Sequence, residues 1–186
     1  LYREHVDPLR PRRTHLGHVP SAWLRPRRRA VVVRLLVAAL YGLGLFTMGR
    51  SLEPLDMRVL YAPDDVAAIL DAMGDSGRAE YRLFAFADLG FIVVYSTLLV
   101  TWARFLRVRN ALPRAAFPVI ALVPGLCDAV ETGGAIALLG QFPDLSRTWE
   151  LTVAFATPMK WITLAGFSAV LAWGEAVLWQ NRNDPR

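Results

Sequence analysis

Four stretches of about twenty mostly apolar residues, at 30–48, 83–105, 115–140 and 151–173, constrain this chain more than any other feature. A helix rises about 1.5 Å per residue, so each stretch is long enough to cross the roughly 30 Å hydrocarbon core of a bilayer. None is free of charge: Arg34, Asp88, Asp128, Glu131 and Lys160 interrupt them. A soluble protein with buried core helices would show similar interruptions, so the charges between the blocks have to decide.

They decide for a membrane. If the blocks span, residues 1–29, 104–114 and 180–186 share one side and carry fourteen Arg against three acids, Glu4, Asp7 and Asp184. The opposite side, 49–82 and 141–150, carries five Arg and nine acids. Excess Arg on every loop of one side is the positive-inside pattern, which puts both termini inside. Trp23, Trp102, Trp149, Trp173 and Trp179 fall near the expected interfaces, as an aromatic belt would. The expected organisation is a basic arm at 1–29, a transmembrane domain at 30–180 and a short tail at 181–186. The fold class is all-α, an integral membrane four-helix bundle in a bacterial plasma membrane or an organellar membrane.

Composition narrows the chemistry. Cys127 is the single cysteine, so an intrachain disulfide and a cysteine metal cluster are both impossible. The histidines, His5, His15 and His18, all lie in the basic arm, which leaves none for a haem or a His-rich metal site within the bundle. No cofactor and no metal are expected. Eight Arg in the first 29 residues suit anionic lipid better than nucleic acid, because an apolar block follows at once. The arm has no small-residue cleavage site of a secretory signal, and a start at Leu1 is compatible with upstream processing of an organellar targeting segment.

The long first outer loop is expected to be ordered. Pro63 with Asp64 and Asp65 reads as a helix start, and Val66, Ile69, Leu70 and Met73 form a stripe at helical spacing. Gly74 is the natural stop, with Ser76 or Gly77 leading into the second span. This short amphipathic helix is expected on the outer leaflet or as a cap on the bundle. In the third span Ala121, Gly125, Ala129, Gly133 and Ala137 place a small residue every fourth position. That ridge serves tight packing inside the monomer or contact with a protein partner. Pro118, Pro124 and Pro158 each remove a helix hydrogen bond and invite a kink.

The intramembrane charges carry the chemistry. Counting along the helices puts Asp88 about 8 Å, Glu131 about 13 Å, Asp128 about 18 Å and Lys160 about 13 Å below the outer edge. All four therefore fall in one outer-half layer, and the cost of facing lipid turns them to the interior. A Lys160–Glu131 pair fixing helix register is one use of them. It leaves other carboxyls to hold a proton or meet a cationic or hydrogen-bonding partner. Arg34 and Glu175 lie close enough to the inner interface to snorkel. The membrane region has no serine–histidine or cysteine–histidine pair, and the chain has no P-loop or dinucleotide fingerprint. Lys160 at the level of the acids argues against a divalent cation.

Three stretches carry a family likeness. Leu55, Asp56, Met57 and Arg58 follow the first span and precede the Pro-started outer helix. Asp88 stands several residues into the second span, after Phe84, Ala85, Phe86 and Ala87. The fourth span opens at Glu150 and runs to Pro158. In this order of features, over about residues 30–178, the chain resembles the EXPERA-domain membrane proteins, which include the sigma-2 receptor and the emopamil-binding sterol isomerases. It also looks like uncharacterised bacterial four-helix membrane proteins, a likeness that implies no function. The EXPERA resemblance implies a pocket for amphiphilic amines or sterols lined by an acid after the first span and one in the second, here Asp56 and Asp88. Asp128, Glu131 and Lys160 depart from that family's pattern, and no intramembrane His is present for isomerase chemistry.

Three functions are compatible with these residues. The first is non-catalytic binding of a lipid, sterol or other small amphiphile by Asp56, Asp88, Asp128, Glu131 and Lys160. The second is an accessory or assembly subunit of a larger membrane complex, held together by its polar cluster. The third is a lipid-modifying enzyme with a carboxylate as general acid or base.

Overall fold

The computed structural model describes residues 21–50, 52–108 and 117–183. The arm at 1–20 with its three histidines, the loop at 109–116 and the tail at 184–186 lie outside the described residues. Among the described residues six α-helices form: α1 Ser21–Gly49, α2 Val66–Ala72, α3 Gly74–Val108, α4 Phe117–Ile120, α5 Val123–Gln141 and α6 Arg147–Asn183. Four segments are long and apolar enough to span: Arg29–Gly49, Gly74–Arg107, Phe117–Gln141 and Arg147–Asn181. Large apolar side chains stand exposed on all of them, among them Leu40, Phe86, Leu126 and Ile162. Lipid is the medium that covers such surfaces, and the protein is an integral membrane protein.

The helix boundaries follow local chemistry. α1 ends at Gly49, and Glu53 takes a left-handed φ of 45° that turns the chain back toward the bundle. Pro54 then opens a single 3₁₀ turn, Leu55–Met57, which buries Leu55 and Asp56. Gly49 permits this: a Cβ there would collide with Met57 and press on Phe84. Gly74, at φ +63°, separates α2 from α3 as expected, but α3 starts at Gly74 itself with no linker through Ser76 or Gly77. Arg78 and Arg82 of α3 donate to the Leu70 and Leu139 carbonyls, satisfying the C-terminal ends of α2 and α5.

α2 caps the bundle. Val66 and Leu70 are fully buried, packing in one cluster with Tyr81, Leu138 and Val153. An Arg147–Asp64 ion pair at 2.6 Å ties the preceding turn to the start of α6. The third span is interrupted at Ala121–Leu122, between α4 and α5, and Pro124 occupies the first turn of α5, where its missing N–H costs nothing. Pro158 lies inside α6.

Neighbour contacts run α1 on α3, α3 on α5, and α5 on α6, whereas α1 and α6 scarcely touch. The ring of spans is therefore open between its first and last members. The apolar core is also divided. One cluster, including Leu98, Leu106, Ala121 and Leu171, fills the half toward the N-terminus of α1. A second, including Leu55, Leu70, Tyr81 and Leu138, fills the opposite half. The ionisable residues form a layer between them.

Candidate functional site

Helical spacing assembles the polar layer. Asp128, Glu131 and Thr132 share one side of α5, Thr157 and Lys160 are three apart on α6, and Asp88 faces them from α3. All six are buried. Lys160 is the hub: its Nζ stands 2.6 Å from Glu131 Oε2 and 3.1 Å from Asp128 Oδ1. It also donates to the Asp56 carbonyl oxygen at 3.0 Å. An ammonium has three N–H groups, and these three oxygens surround it. Withdrawing it from water would be prohibitive without them.

The acids are then served by hydroxyls. Tyr95 donates to Asp128 Oδ2 at 2.8 Å, and Thr132 donates to Asp88 Oδ2 at 2.8 Å. Thr157 reaches Glu131 Oε1 and shares a 3.0 Å hydrogen bond with the Tyr61 hydroxyl. Three polar atoms fall outside this scheme. The second oxygen of Asp88 has no hydrogen-bond partner among the described residues. Asp56 Oδ1 and the Tyr81 hydroxyl are both buried without a partner at full hydrogen-bond geometry, and they interact with each other.

Asp56 therefore enters the site differently from the way a loop residue would. The 3₁₀ turn carries it into the bundle, where it is 6% exposed. Burial pushes its carboxyl up to about 7, an effect that Lys160 opposes and that Asp88 and Glu131 reinforce. Tyr61, beside Thr157, is likewise held above the ordinary tyrosine range by burial.

A cavity of about 440 Å³ opens against this layer. Its polar boundary is Asp56, Asp88, Asp128 and Lys160. Apolar side chains make up most of the rest, including Leu45 and Phe46 from α1, Phe91 and Leu98 from α3, and Trp161 and Leu164 from α6. Lining from both α1 and α6 places it at the gap between those helices. Of the five residues expected at a pocket, the fold brings all into one cluster, and four line the cavity. Glu131 does not: it is fully buried behind Lys160.

The site also takes in Tyr95, Thr132, Thr157, Tyr61 and Trp161, which are not among the residues expected there. Thr157 was accessible from its i, i+3 relation to Lys160, and Thr132 from its place beside Glu131. Tyr95 and Tyr61 were not, because only the packing brings them to their partners. Trp161 borders the cavity, donates to the Arg58 carbonyl at 3.2 Å and lies with its ring 5.2 Å from Lys160 Nζ. Among the described residues, no group of three or more His, Cys, Asp or Glu side chains is disposed to hold a metal ion.

The small-residue ridge divides. Gly125 is buried where a Cβ would collide with Ser96, and Ala121 is fully buried, so this half serves internal packing. Gly133 is exposed with open space at its Cβ position. Comparison with family models, with curated proteins and with solved structures finds no match.

Proposed function

We propose that this protein binds a lipid or small amphiphile in the α1–α6 cavity, without catalysis. One observation carries the reading: Asp56 and Asp88 line the polar end of an otherwise apolar 440 Å³ space, and one carboxyl oxygen of Asp88 has no hydrogen-bond partner among the described residues. Polar groups in a protein interior are nearly always satisfied, so a carboxyl oxygen without a donor beside a void is a place for a ligand's donor. The volume lies within the roughly 300–1,000 Å³ of small-molecule sites, and the balance of apolar wall and few polar groups is the usual one.

The charge pattern supports a ligand head that donates hydrogen bonds or carries positive charge. Lys160 is engaged by Asp128 and Glu131, and among the described residues Asp56 and Asp88 form no ion pair. The poor contact between α1 and α6 offers an apolar ligand a route from the bilayer without passing through water. The resemblance to EXPERA-domain proteins supports the same reading, since it would assign a ligand pocket to Asp56 and Asp88.

Native mass spectrometry of the protein released from nanodiscs tests this. A retained lipid or amphiphile is expected with the unaltered chain and weakened retention with Asp88→Asn. An empty protein bound instead to another polypeptide would favour the accessory-subunit reading, with the open Gly133 side of the ridge as the contact.

A further inference from the structure

On the far side of α3 from that cavity, a second groove of about 610 Å³ runs between α3 and the α4–α5 segment, with Arg34 of α1 at its edge. Its walls include Val93, Val100, Leu122 and Leu126, and both Arg34 and Arg104 line it. We propose that this groove holds an anionic phospholipid of the leaflet on the side of the α1 N-terminus, its phosphate clamped by Arg34 and Arg104 and an acyl chain laid along the apolar walls.

Four observations lead there. Both arginines lie within spans, Arg34 five residues inside Arg29 and Arg104 three residues inside Arg107. Neither has an acidic partner among the described residues. Arg34 makes one long contact, 3.5 Å to the carbonyl of Ala30. A guanidinium at this depth needs a counter-anion, and the group available at the headgroup boundary is lipid phosphate. Geometry adds convergence. Helical side chains lean toward their own N-terminus, and α1 and α3 run antiparallel, so Arg34 and Arg104 lean toward one another along the membrane normal. Paired guanidiniums suit phosphate oxygens better than lysines would, because each offers a planar fork of donors. The apolar groove continuing from the arginines selects a lipid over free phosphate.

Thermal unfolding and lipid retention in nanodiscs test the site. Discs of phosphatidylcholine alone are compared with discs that also contain phosphatidylglycerol. The unaltered protein is expected to unfold at higher temperature and to retain phosphatidylglycerol preferentially when released for native mass spectrometry. Arg34→Gln with Arg104→Gln should lower that preference on the order of tenfold, consistent with the attraction of anionic lipid for each basic side chain. Arg50→Gln, on the opposite side of the membrane, should leave it intact. Leu126→Trp, which fills the groove and spares both arginines, should also lower retention. Equal retention of both lipids by the unaltered protein, or a preference unmoved in the double variant, overturns the proposal. Stabilisation of the detergent-extracted protein by inorganic phosphate as strong as that by phosphatidylglycerol would overturn the lipid assignment. The Asp56–Asp88 cavity is untouched by these changes, so failure here leaves that reading standing.

Discussion

Lys160 Nζ stands 2.6 Å from Glu131 Oε2, and the glutamate is fully buried. The pair joins α6 to α5 at mid-layer, with Asp128 as a second anion and the Asp56 carbonyl as a third ligand for the ammonium. Removing Glu131 strands a buried charge, so Glu131→Ala should destabilise the protein by about 3–5 kcal/mol. Glu131→Leu combined with Lys160→Met should recover much of that loss. Reversible unfolding in detergent or nanodiscs measures both. A double variant no better than the sum of the single changes would show that the two residues are not energetic partners.

Asp88 is the acid whose removal should cost the fold least. Its one hydrogen bond comes from Thr132, which Asn can still accept. Asp88→Asn should therefore leave the unfolding temperature without ligand nearly unchanged. In a screen of lipids, sterols and cationic amphiphiles it should reduce the stabilisation that the unaltered protein shows at the same concentration. A screen in which no compound stabilises the unaltered protein would count against the cavity as a ligand site.

Asp56 predicts a pH dependence. Its folded-state carboxyl is raised to about 7 from an ordinary value of 3.8, so the native state holds its proton more tightly than the unfolded chain. Stability then falls as pH rises, from a full contribution below about 3.8 to its loss above about 7. Lys160 opposes the shift, and Asp88 and Glu131 reinforce it. Asp56→Asn should flatten this component of a pH series of unfolding temperatures. An unchanged slope in the variant would mean that Asp56 does not titrate in this range.

The ridge of small residues predicts unequal substitutions. Gly125→Leu drives a side chain into Ser96 and should cost about 1–3 kcal/mol by overpacking. Gly133→Leu meets open space and should leave monomer stability within about 0.5 kcal/mol. Loss of a co-purifying polypeptide in Gly133→Leu would identify that face as a contact surface.

The Arg bias predicts sidedness. Reporter fusions after Asp75 and after Arg186 should read out on opposite sides of the membrane, with the latter inside. The same side for both would break the four-span arrangement.

The spans, the cap helix and the polar layer were legible in the sequence, because each rests on local periodicity or on a cost that holds in any fold. Twenty apolar residues must leave water. Val66 and Leu70 share a face at helical spacing, and ionisable groups at one depth avoid lipid. Depth and periodicity alone brought Glu131 and Lys160 together. Span ends were less legible: α3 and α6 run to 35 and 37 residues, continuing past their apolar stretches because polar residues extend a helix outside lipid without penalty. Tertiary structure decided the rest. Asp56 looks like a loop acid until Gly49, Glu53 and Pro54 turn it inward, and that turn depends on room between Met57 and Phe84. The cavity exists because α1 packs on α3 and not on α6, a choice made by surfaces far apart in the chain. Local pattern carries no record of such a choice, since helix-to-helix contact depends on how complete faces fit.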